Sequence, residues 1–181
     1  MKVRRGVVAG LVGLALVVGA SGCGKIGEKV AEEAIERNSD CENIDINADE
    51  GAVSGSCAGE DFDANASGNA DLPDDWPTDL APPEGFKIVT STASDTPIRT
   101  LNVVGSLDGD VTEVYEGIKA QLTAAGYTID TDSLADAGNG PAGTMAATGA
   151  DFTAAVTVSE SVNALEGNVT VTYTLNAAGG S

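Results

Sequence analysis

Asn168-Val-Thr-Val-Thr-Tyr-Thr-Leu175 places Val169, Val171, Tyr173 and Leu175 on one side of an extended chain and Thr170, Thr172 and Thr174 on the other. Just upstream, Phe152-Thr-Ala-Ala-Val-Thr-Val-Ser159 repeats the pattern, with Phe152, Ala154, Val156 and Val158 against Thr153, Ala155 and Thr157. A strict period of two reads as half-buried antiparallel strand, because successive side chains point to opposite faces. The faces opposite the apolar ones carry no charge. From Pro141 to Ser181 the charged side chains are Asp151, Glu160 and Glu166 alone, where a solvated outer face ordinarily collects Lys and Glu. Two accounts are open. The N-terminal hairpin or the connector around Trp76 covers this face, with the β-propensity of Thr explaining its composition. Alternatively Thr153, Thr157, Thr170, Thr172 and Thr174 form an interaction surface for a second protein or an apolar ligand.

Working outward, Gly143–Thr148 and Tyr127–Thr131 read as further strands, and Val111–Ala125 reads as a helix. Asp110 followed by Glu113 is an Asp form of the capping box, Gly126 is a natural residue just past a helix end, and Val111, Val114, Tyr115, Ile118, Leu122 and Ala125 make one apolar face. Phe86–Thr92 and Arg99–Ser106 supply two more strands before the helix. The expected fold is therefore α+β: residues 86–176 form a ββαββββ antiparallel sheet with one helix packed on one face, and 177–181 are a flexible tail.

Residues 61–85 read as an acidic, Pro-rich connector. Four prolines between Leu72 and Phe86 prevent helix and fix extended geometry, and Trp76, the only Trp, reads as a hydrophobic peg onto the main domain. Asp61-Phe-Asp63-Ala-Asn65-Ala-Ser67-Gly68 offers oxygen atoms at alternate positions. It lacks the sixth-position Gly and twelfth-position Glu of an EF-hand, having Ala66 and Leu72 there, so it reads as a solvated acidic loop. Residues 40–60 alternate on both sides of a Gly-containing turn, as a hairpin does. Its register is ambiguous by one residue: pairing Ile46 with Val53 sets Cys41 and Cys57 on a diagonal, and pairing the cysteines misaligns the apolar pair. Residues 23–39 read as a linker helix, with Ile26, Val30 and Ala34 at four-residue spacing and Lys29–Glu33 and Glu33–Arg37 ion pairs along it.

The N-terminus opens with Lys2, Arg4 and Arg5, then an uncharged run from Gly6 to Gly22, the order of a secretory signal peptide. Ala20-Ser-Gly-Cys23 resembles the lipobox of bacterial lipoproteins, with Ala20 where that motif usually has Leu. The resemblance implies cleavage after residue 22, a diacylglyceryl group on Cys23, and a chain held on the outer face of the cell membrane. Cys41 and Cys57 then remain as a pair in an exported protein, where a disulfide is expected. It would contribute roughly 3 kcal/mol by restricting the unfolded chain.

Loss of residues 1–22 leaves six basic residues against 28 acidic ones, a balance of −22. Such a surface repels phosphate backbones, which excludes nucleic acid as a partner. A chain without His lacks the commonest base near neutral pH, cannot assemble a Ser-His-Asp or Cys-His arrangement, and has too few ligands for a zinc or copper centre. Gly138-Asn-Gly140-Pro-Ala-Gly143 matches G-x-G-x-x-G but contains Pro and precedes a strand, so it is a loop. No cofactor is implied. Leu72-Pro-Asp-Asp-Trp76-Pro, Pro83-Glu-Gly-Phe-Lys-Ile88, Leu122-Thr-Ala-Ala-Gly-Tyr127 and Val169-Thr-Val-Thr-Tyr173 together resemble a group of small bacterial lipoproteins of unknown function; the Ala-, Gly- and Asp-rich composition fits a high-GC Gram-positive source. The resemblance implies an architecture and no activity. The functional expectation is a lipid-anchored, non-enzymatic binding module of the cell envelope; the alternative is a divalent-cation-dependent or carboxylate-based envelope enzyme working from the acidic stretch Asp40–Asp79.

Overall fold

A computed structural model describes residues 32, 33, 35, 36, 40–95, 97–136, 140–161 and 168–178. The alternating stretches become β1 (Cys41–Asn47), β2 (Ala52–Cys57), β3 (Glu60–Asn65), β4 (Lys87–Ser94), β5 (Thr100–Leu107), β6 (Thr128–Asp136), β7 (Pro141–Thr148), β8 (Phe152–Glu160) and β9 (Val169–Ala177), with α1 (Val111–Ala124) between β5 and β6. All nine join one antiparallel sheet in the order β1-β2-β3-β4-β5-β9-β8-β7-β6. Strands β1 to β5 run as a meander. Helix α1 then carries the chain to the opposite edge, and β6 to β8 meander back until β9 lies against β5.

Register puts Leu101 opposite Leu175, Val103 opposite Tyr173, Val156 opposite Tyr173 and Met145 opposite Val156, so the apolar sets of four strands share one side of the sheet. Helix α1 covers this side over β6, β7 and β8 through Val111, Tyr115, Ile118 and Leu122, all buried. Each such aliphatic side chain contributes about 1.5–3 kcal/mol by leaving water. The Asp110 carboxylate accepts from the amides of Thr112 (2.8 Å) and Glu113 (3.2 Å) at the helix start. At the other end Gly126, at φ 85°, lets its amide reach Thr123 O and the Tyr127 amide reach Leu122 O, a Schellman close.

The connector covers the rest of the same side by a repeated device. The carbonyls of Pro73, Pro77 and Pro83 accept from the amides of Trp76, Leu80 and Phe86, three residues on in each case. Every turn thus delivers an apolar side chain to the core. Trp76 and Leu80 are buried and Phe86 packs against them. The Trp76 indole donates to Leu80 O at 2.7 Å, and the Trp76 and Phe86 rings meet Tyr173 edge-on at 5.8 and 6.0 Å.

Three expectations are corrected. Glu60–Asn65, read as the end of the hairpin and the start of an acidic loop, is strand β3, which pairs with both β2 and β4 and fuses the hairpin to the main sheet. Phe62 and Ala64 lie on one side of it, and Asp61 and Asp63 on the other. The ββαββββ unit is accordingly the larger part of a nine-stranded sheet. The two hairpin registers, which excluded one another, coexist. A bulge between Glu42 and Asp45 absorbs one residue, so Cys41 faces Cys57 and Ile46 still faces Val53. Asn43 takes φ 55° in the bulge, and Gly55 opposite leaves room for Ile44, whose Cδ1 would lie 2.5 Å from a Cβ there. Cys41 and Cys57 are bonded, with their Cα atoms 3.9 Å apart. Most of the expected linker helix over 23–39 lies outside the described residues, as does the signal segment. Among the described residues no helix is long and apolar enough to cross a membrane.

Candidate functional site

Each strand contributes alternate residues to the side of the sheet away from α1, and the registers set these side by side. One cross-strand row runs Ser133, Thr144, Thr157, Thr172, Val104 and Thr90 from β6 to β4. The next runs Thr131, Ala146, Ala155, Thr174, Asn102 and Thr92. A third joins Thr148, Thr153, Asn176, Thr100 and Ser94, and Thr170 lies between Ser159 and Ser106 in a fourth. No member of these rows is charged. The nearest charges sit at the margins: Asp130, in the β6 bulge, accepts from the Thr148 hydroxyl at 2.7 Å, Lys87 on β4 lies opposite Ser106 at the end of the fourth row, and Glu60 on β3 lies opposite Ser94 at the end of the third.

Thr153, Thr157, Thr170, Thr172 and Thr174 are therefore brought together, within a much larger array than two strands can make. Thr144, Thr153, Ala155 and Thr157 are exposed, and Thr170, Thr172 and Thr174 half-buried. Neither element expected to cover this face does so. The Trp76 connector lies on the opposite side with Tyr173, and the hairpin continues the sheet edge to edge. Side-chain bonds across β5 and β9 fix part of the array: Asn102 Nδ2 donates to Thr174 Oγ1 at 3.3 Å and Thr100 Oγ1 to Asn176 Oδ1 at 3.0 Å. The residues missed from sequence were Thr131, Thr144 and Thr148 on β6 and β7 and Thr90, Thr92 and Thr100 on β4 and β5. Alternation within each strand was the available signal; which strands are neighbours was not.

The acidic side chains gather elsewhere. A groove of about 620 Å³ on the α1 side of β2 to β4 is lined by Asp61, Asp63, Asp71, Asp74, Asp75 and Asp95 together with Arg99. The Arg99 guanidinium reaches Asp75 at 2.8 Å and Asp95 at 3.0 Å, and Asp63 accepts from the Asp71 amide at 3.1 Å. Both ion-pair carboxylates are largely exposed, so each pair is worth little. Among the described residues no group of three or more His, Cys, Asp or Glu is disposed to hold a metal ion. Cys23 lies outside the described residues.

Beneath the array, Tyr115 ties the edge to the sheet. Its hydroxyl takes the Ser133 amide at 3.0 Å and donates to Thr144 O at 3.1 Å, standing between two residues that face one another in the β6–β7 ladder. Burial raises the Tyr115 phenol above its ordinary value, the Ser133 bond opposing. Tyr173 is pushed up much further by burial alone. No known protein family, curated protein or solved structure matches the chain.

Proposed function

We propose that this protein is a lipid-anchored, extracytoplasmic, non-enzymatic binding module of the cell envelope, and that it docks its partner on the uncharged Thr-lined face of the sheet. The observation that carries the reading is the open face itself: an extended array without charge, in a chain of formal charge −19, lying opposite the buried core. Its composition suits contact in place of chemistry. Thr offers a methyl and a hydroxyl that both donates and accepts, and the array contains no acid, base or nucleophile pair. Anchoring rests on the lipobox-like Ala20-Ser-Gly-Cys23, since a diacylglyceryl group gives two chains where one binds membranes only marginally.

Two measurements test the two halves. Thr157→Lys with Thr172→Glu places opposite charges on adjacent strands of the face; the double variant is expected to fold as wild type and to lose its cross-linked partners in the cell. Retention of every partner would remove this face as the docking surface. Cys23→Ala is expected to release the protein from membranes in a salt wash, and continued attachment would remove lipidation as the anchor.

A further inference from the structure

We infer that the partner on the Thr-lined face is a second copy of this chain, packed sheet against sheet. The inference deepens the docking reading and rests on it. Three properties of the face favour self-association. The first is charge: two copies that each carry −22 once residues 1–22 are removed repel wherever their carboxylates meet, and the described rows from β4 to β6 form a broad surface on which they can touch without that cost. The second is size. The six strands that carry these rows lie about 4.8 Å apart and are eight or nine residues long at about 3.3 Å per residue, which makes a face of about 29 by 27 Å, or about 800 Å² per copy. That is the share each partner buries in a stable interface of standard size.

The third property is that the face complements itself. A face of Lys or Asp cannot pair with its own copy, but a Thr hydroxyl donates and accepts, so identical rows satisfy one another across a two-fold axis lying in the plane between the two sheets. The side chains are Thr, Ser, Ala, Val and Asn across β5, β7, β8 and β9, short enough for two twisted sheets to approach to the usual spacing of about 10 Å. The Asn102–Thr174 and Thr100–Asn176 bonds hold several of these groups before contact, which lowers the entropy lost on docking.

The test uses the full chain in its native membrane, with a photo-cross-linking residue at Thr172. The expected adduct contains two copies of this chain and nothing else, and the detergent-solubilised protein is expected to sediment as a dimer. Thr157→Lys in every copy should cut dimerisation by at least about tenfold, because the rows then meet like charge with like charge. Mixing Thr157→Lys with Thr157→Glu copies should restore it. Thermal unfolding of each variant confirms that the sheet is intact, and Thr144→Lys, exposed on the next strand of the same row, replaces Thr157→Lys if that variant fails to fold. An adduct with a different protein overturns the second-copy inference while leaving the face as the docking surface. A monomer with no adduct overturns both.

Discussion

Tyr173 has its ring at the centre of the core and its hydroxyl buried without a hydrogen-bond partner among the described residues. A buried hydroxyl that has given up water for nothing is destabilising, so Tyr173→Phe is expected to be neutral or to stabilise by up to about 1–2 kcal/mol in urea unfolding. A loss exceeding about 1 kcal/mol would show that the hydroxyl has a partner. The same phenol sets an alkaline limit. Its native value is raised above the ordinary 10.0, so the folded state keeps a proton that the unfolded chain releases. This contribution is fully present below pH 10 and is lost as pH rises toward the native value, and Tyr173→Phe should flatten the fall in stability above pH 10. Gly143 is set by a different contact. A Cβ there would collide with the Tyr115 ring, which is why the strand has Gly beneath the residue that bridges β6 and β7. Gly143→Ala is expected to cost about 1–3 kcal/mol, and distinctly less when combined with Tyr115→Ala, as a double-mutant cycle would measure.

The two edges of the sheet differ in how they are finished. At β1 the outward amides of Ile44 and Ile46 donate to the carboxylates of Glu36 (3.0 Å) and Glu32 (2.9 Å), one turn apart on the preceding segment. Unpaired strand edges invite other strands, and these acceptors occupy that edge. Glu32→Ala with Glu36→Ala is expected to speed amide exchange at Ile44 and Ile46 selectively; unchanged exchange would mean that the carboxylates contribute no protection. The disulfide works on the same outer hairpin. Replacing Cys41 and Cys57 by Ala should lower stability by roughly 3 kcal/mol, with protection lost first in β1 and β2 while β5 and β9 stay protected. An equal loss across all strands would show the hairpin and the central sheet to unfold as one unit. Within the connector, the three Pro-led turns position Trp76, Leu80 and Phe86, so a substitution that frees Trp76 from the core also uncovers Tyr173.

Across the whole molecule, 28 acidic residues against nine basic ones oppose compaction, and the groove beside β3 concentrates several of them. Screening that repulsion is expected to raise the melting temperature by a few degrees between low and roughly physiological salt, where the Debye length falls to about 8 Å; a salt-independent value would show that the carboxylates are too far apart to matter. Strands β8 and β9, helix α1 with its Asp110 and Gly126 ends, and the Cys41–Cys57 bond were legible in the chain because each depends on local period, on capping residues, or on how few cysteines an exported chain would leave free. Strand β3 was not. Asp61, Asp63 and Asn65 disfavour strand locally, and their pairing with β4, some 30 residues away, outweighs that preference. The hairpin register was hidden for a related reason, since a one-residue bulge shows only as two incompatible alignments. Individual Thr side chains could be assigned to a face from alternation, but the breadth and openness of that face could not. They depend on β9 returning to lie against β5, and on the connector choosing the side where Tyr173 offers its ring; both are contacts between residues far apart in the chain, which local periodicity does not encode.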